Sequence, residues 1–107
     1  MMARRPYSLV YAPAVRQHLG DIEAKYRSLI RKEIEEQLQF EPDVETRNRK
    51  PLRQPAAFGA DWEIRFGPDN RFRALYEIAE EEHTVNVLAI GQKEGNRLLI
   101  GGKEVKV

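Results

Sequence analysis

Two arginines, Arg65 and Arg73, are the residues of this chain best suited to chemistry, because each stands in a run that alternates polar with apolar side chains. A guanidinium is permanently charged, and its planar fork fits a phosphate or a carboxylate in bidentate fashion. Both ligands are admissible on residue type alone. More basic residues stand nearby: Arg71 precedes Arg73, and the segment 47–53 holds Arg47, Arg49, Lys50 and Arg53 with no acid among them. The acids gather instead in segments 33–36 and 80–82, so a net charge of only +1 conceals separated signs. Such a separation gives a directional field that can steer an anionic partner, although two solvated faces of opposite sign would look the same. The 107 residues include no cysteine and two histidines, which removes disulfides, thiolate catalysis and cysteine metal sites, and leaves no expectation of a metal or cofactor.

The elements that must position these arginines follow from periodicity. Residues 7–11, Tyr-Ser-Leu-Val-Tyr, are strand formers entered through Pro6. After Pro13, apolar residues recur at Val15, Leu19, Ile22, Tyr26, Leu29, Ile30, Ile34 and Leu38, the steps of three and four that make one helical stripe. Gly20 and the polar run 23–25 could divide that stretch into a hairpin, and Pro42 ends it. His18 falls off the stripe and is expected at the surface, as is His83 in the acidic turn. Residues 43–61 read as an irregular loop, long for a small domain and hence a candidate for function. The period then changes to two: Trp62, Ile64 and Phe66, a turn at 67–70, then Phe72, Ala74, Tyr76 and Ile78. Residues 84–90 form a further strand, and Gly101-Gly102 joins a small hairpin in the tail. The expected fold is α+β: an N-terminal strand, one or two helices, then an antiparallel sheet of three or four strands with helices on one face, all in a single domain spanning 1–107.

Register can be tested by its consequences. With Arg65 opposite Arg73, Phe66 meets Phe72, Ile64 meets Ala74 and Trp62 meets Tyr76. All six side chains then share the face the helices must cover. A slip of one residue would set arginine against phenylalanine. The sorted register leaves two guanidinium groups adjacent on the other face, a repulsion of a few tenths to ~1 kcal/mol when solvated. Either nearby acids, Glu63 and Glu77, neutralise the pair, or it awaits an anion.

The run of residues 61–67, Asp-Trp-Glu-Ile-Arg-Phe-Gly, followed by Arg71 to Ile78 and then by residues 87–93, Val-Leu-Ala-Ile-Gly-Gln-Lys, resembles the RelE/ParE superfamily of toxins from bacterial type II toxin–antitoxin systems. Lys50-Pro51-Leu52-Arg53 and the helical stretch ending at Leu38 and Pro42 fit the same pattern, so the resemblance runs from Tyr7 to about Leu99. It implies a strand, a two-helix hairpin split near residues 23–25, and a sheet whose open face is concave and basic. RelE-like members cleave mRNA in the ribosomal A site, the RNA's own 2′-hydroxyl attacking the adjacent phosphate. Arg73 matches the arginine of the family's Arg-x-x-Tyr strand, which implies a role in phosphate stabilisation. Arg65 and Lys93 fall where RelE has a strand lysine and a later arginine. Lys50 and Arg53 match a loop that supplies catalytic or phosphate-binding residues, with Arg47, Arg49 and Arg71 as further phosphate contacts.

Two departures stand out. Residues 97–99, Arg-Leu-Leu, offer neither the tyrosine nor the histidine that RelE-type nucleases often carry near the C-terminus. Glu63 replaces another lysine. The general base is therefore open among Lys50, Lys93 and Glu63. The resemblance implies a toxin that cleaves ribosome-bound mRNA, binds a cognate antitoxin, and reaches operator DNA through that complex. With no run of ~20 apolar residues and no secretory signal visible, the cytoplasm is the expected compartment and no membrane partner is expected. The other branches are a ParE-like inhibitor of DNA gyrase and a degenerate member that only binds its antitoxin.

Overall fold

The computed structural model describes residues 5–106. Strand β1 (Ser8–Tyr11) leads into helix α1 (Ala14–Gly20), and helix α2 (Arg27–Leu38) follows after a short 3-10 turn at Ala24–Tyr26. The helical stretch thus divides where the polar run 23–25 interrupts it. Six strands come next: β2 (Arg49–Pro51), β3 (Trp62–Phe66), β4 (Phe72–Ala79), β5 (Thr84–Glu94), β6 (Arg97–Ile100) and β7 (Lys103–Val105). They pair in the order β2-β3-β4-β5-β6-β7 as one seven-stranded sheet, with β1 joined to β5 in parallel and every other pairing antiparallel.

The expected count of three or four strands is corrected upward. The segment 43–61, expected to be irregular, contributes β2, because Lys50 and Pro51 pair with Glu63 and Trp62. The tail divides at Gly101 and Gly102, both at positive φ, into β6 and β7. That hairpin is the one the sequence leads one to expect, whereas β2, three residues long and of mixed composition, carries too little periodicity to be seen in sequence.

The sorted register is the one observed. Arg65 lies opposite Arg73, Phe66 opposite Phe72, Ile64 opposite Ala74 and Trp62 opposite Tyr76. The apolar side chains of this ladder meet Ile30, Ile34 and Leu38 of α2 and Val15 of α1 in the main core. Tyr76 donates from its hydroxyl to the Pro42 carbonyl at 2.7 Å, which fixes the exit of α2 against the sheet. Burial holds that phenol well above its usual pKa.

His18 corrects the expectation of a surface residue. It is buried, its Nδ1 accepts from the Ile90 N–H at 3.4 Å, and its ring meets Phe58 edge-on. The physical reason lies in β5, whose outer edge is shared: β1 pairs with Thr84 to Val87, and β6 with Gln92 to Glu94. Between those stretches α1 crosses the edge, and the imidazole satisfies a strand donor. His83 is likewise not simply solvated. Its ring stacks on Tyr7 with centroids 3.8 Å apart, and its Nε2 lies 2.8 Å from the Arg5 carbonyl oxygen.

Candidate anion site on the sheet

The face of the sheet away from the helices is not wholly open. Leu75, Ala89, Leu98, Ile100 and Ala60 form a second cluster there, with Leu52 and Val105 against it. The β6–β7 hairpin and the loop after β2 therefore cover the part of this face built on Leu75 and Ala89. Gly91 permits the close approach of β6. A Cβ at that position would lie 2.6 Å from both the Ile100 side chain and the Leu99 carbonyl oxygen. What stays accessible is the end of the ladder carrying Arg65 and Arg73.

Here one carboxylate lies between two guanidinium groups. Glu63 Oε1 accepts from Arg65 Nε at 3.1 Å, and its Oε2 lies 3.8 Å from Arg73 Nη1. The three side chains differ sharply in exposure: Arg65 is 38 % exposed, Arg73 14 % and Glu63 only 2 %. Glu63 is consequently a fixed counter-ion that no substrate hydroxyl reaches, which removes it as a candidate base. Glu77 does not join the group; it accepts from Asn86 instead. The charges do not balance, since Lys50 is directly opposite Glu63 in β2 and is exposed. Three cations on this patch face one carboxylate.

Arg73 is under-satisfied. Among the described residues its Nε is buried without a hydrogen-bond partner, and its ion pair with Glu63 is long. Burial pulls its pKa below that of a free guanidinium; Glu63 opposes the shift and Arg65 adds to it. Arg65 spends its Nε on Glu63 and is the more exposed of the two. Arg65 is thus the arginine in reach of an incoming anion, with Arg73 as buried charge behind it. An anion that neutralised this excess would lower the repulsion the register builds in.

The remaining basic residues separate. Arg49 is buried opposite Ile64 on the helix-covered face, donating to the Gln37 and Val44 carbonyls and to Gln37 Oε1. The expectation that it shares the basic face is corrected: alternation along β2 puts Lys50 and Arg49 on opposite sides. Arg71 also turns away. It donates to the Tyr26 hydroxyl, pairs with Glu23 at 3.8 Å and stacks over the Tyr26 ring, clamping the helix hairpin to the sheet. Lys93 is exposed at the far end of β5, beside Arg71 and Asp69 in a shallow depression. Arg47 and Arg53 are exposed before and after β2. Leu98, in the region where RelE-type nucleases carry an aromatic residue, is packed in the second cluster.

A second concavity, which the sequence did not signal, lies on the opposite side of the molecule. A groove of about 890 Å³ runs between the helices, floored by Val15, Leu19 and Ile30 and rimmed by Arg16, Arg27 and Arg31. Among the described residues, Arg31 pairs with Glu35 one helical turn on, and both are exposed.

A strand, a helical hairpin and a largely antiparallel sheet agree with a RelE-like α+β fold. Neither a protein-family model nor a curated protein matches the chain. Among solved structures, the chain is similar to one in the crystal structure of the toxin–antitoxin complex RelBE2 from Mycobacterium tuberculosis. The match has a TM-score of 0.67 and 25 % sequence identity, covering 83 % of this chain and 93 % of the other. The resemblance to RelE-type toxins read from the sequence is borne out by that structural match.

Proposed function

We propose that the protein is the toxin of a type II toxin–antitoxin module, acting in the cytoplasm by ribosome-dependent cleavage of mRNA. The observation that carries this reading is the pair of cross-strand arginines with a single buried carboxylate between them, on a fold shared with a toxin–antitoxin complex. In the proposed reaction the RNA 2′-hydroxyl attacks the adjacent phosphorus, the 5′-oxygen leaves, and a cyclic phosphate remains. Negative charge grows on the non-bridging oxygens, where preorganised cations act most strongly. Arg65 contacts those oxygens, Arg73 adds charge from behind, and Lys50 and Lys93 flank the RNA. With Glu63 sequestered, proton transfer falls to Lys50 or Lys93, or to a group of the ribosome.

A cognate antitoxin is the expected protein partner, in keeping with the complex in which the structural neighbour was solved. An acidic amphipathic segment of that antitoxin would suit the groove between the helices, where an apolar floor meets three arginines. Operator DNA would be reached through the complex. Induced expression should arrest growth, and co-expression of the antitoxin should relieve the arrest; unimpeded growth would contradict the toxin reading.

One observation favours a second reading, inhibition of DNA gyrase. The site's only carboxylate is buried and doubly engaged, so the patch binds anions more evidently than it moves protons. Loss of supercoiling by purified gyrase in the presence of the protein would support that branch, and unaffected gyrase would remove it.

A further inference from the structure

We propose that Glu63 is a positioning residue that aims Arg65 at the bound phosphate and limits the charge of the site. This rests on the reading of the sheet face as an RNA-phosphate site. The geometry behind it is specific. Glu63 Oε1 occupies the Nε–H of Arg65, which leaves that guanidinium's two terminal nitrogens as the fork available to a ligand. Its Oε2 faces Arg73 Nη1, so one carboxylate spans both members of a cross-strand pair. Burial of Glu63 prevents solvent or ligand from displacing it, and the neighbouring Lys50 is left for the RNA strand. Without the carboxylate the two guanidinium groups repel, and the more exposed one, Arg65, is free to swing outward. The site would then be more cationic but less ordered. Affinity for a polyanion and productive geometry would part company, because the first follows charge and the second follows orientation.

The test is Glu63→Gln, read by RNA binding, by growth arrest and by NMR of arginine-labelled protein. Binding of a single-stranded RNA oligonucleotide should be unchanged or tighter, with a salt dependence steeper by about 0.7 in log–log slope, the worth of one more neutralised phosphate. Toxicity should nevertheless fall by roughly tenfold or more, as expected for a misplaced catalytic group. The ¹⁵N Nε–Hε resonance of Arg65 should be downfield and slow to exchange in the wild-type protein, and should move upfield and exchange faster in the variant, whose neutral amide oxygen is the weaker acceptor. A variant as toxic as wild type, or one in which binding and toxicity fall together, would overturn the proposal. If the variant does not fold, the wild-type spectrum still decides: a rapidly exchanging Arg65 Nε–H excludes the positioning role. If the wild-type protein neither binds RNA nor arrests growth, the proposed function fails, and the Arg65 resonance separately decides whether Glu63 holds the guanidinium.

Discussion

Arg65 and Arg73 are direct cross-strand partners, yet they are unequal: Arg65 is open to solvent and Arg73 lies behind it, with Glu63 engaging both. Each variant therefore removes one of the two cations beside a buried carboxylate. Arg65→Ala removes the exposed fork together with the 3.1 Å hydrogen bond to Glu63, and should abolish growth arrest at a stability cost of roughly 1–3 kcal/mol. Arg73→Ala should also abolish arrest, with a stability loss of the same order, roughly 1–3 kcal/mol, because it removes the other cation facing Glu63. Urea denaturation beside a plate assay checks both; a variant as stable as wild type would refute the engagement of Glu63 by that arginine.

Gly91 is opposite Arg73 in β5, and its lack of a side chain lets β6 close over the sheet. Gly91→Ala should destabilise the fold by about 1–3 kcal/mol, since the clash is partly with backbone and cannot be relieved by a rotamer change. A thermal midpoint unchanged from wild type would contradict the observed closure of β6.

Tyr76→Phe tests the link between α2 and the sheet. The variant keeps the ring but leaves the buried Pro42 carbonyl without its donor. Stability should fall by about 1–3 kcal/mol with an unchanged urea m-value. A neutral substitution would show that water or another donor replaces the hydroxyl.

His18 gives the stability a pH dependence. Burial depresses its folded-state pKa below the ordinary imidazole value of 6.5, with Asp21 opposing in part. Above that value both states are neutral and the contribution is complete. As pH falls through and below it, the unfolded chain binds a proton that the folded one resists, and stability drops until the depressed folded pKa is reached. Denaturation at pH 7.5 and pH 5 should show a wild-type loss that His18→Gln reduces. Equal losses in both proteins would place the dependence elsewhere.

Much of this architecture is legible in the sequence because β3 and the first half of β4 alternate. Placing Arg65 opposite Arg73 sorts the six side chains of Trp62/Tyr76, Ile64/Ala74 and Phe66/Phe72 onto one face, which a slip of one residue would undo, whereas Leu75 falls on the other face in the second cluster. The helical stripe was equally clear, since Val15 of α1 and Ile30, Ile34 and Leu38 of α2 all enter the main core. The tail hairpin of β6 and β7 was marked by Gly101-Gly102, whereas β2, three residues long, escaped because it offers too few positions for a period. His18 was misjudged for a different reason. Its burial serves an unpaired strand donor, Ile90 N–H, and no helical pattern records the needs of a distant strand edge. The site was half legible. Residue type and register gave the arginines, whereas the turning away of Arg49 and Arg71 depends on β2 alternation and on Tyr26. The sequestration of Glu63 depends on three side chains meeting.

Cleavage of translated mRNA at a phosphate held by Arg65 is the core of the proposed function. It can be checked by mapping 5′ ends of transcripts after induction, with wild type and Arg65→Ala compared. New ends within translated coding regions should appear with wild type, require active ribosomes and vanish in the variant. Growth arrest with intact transcripts would contradict it.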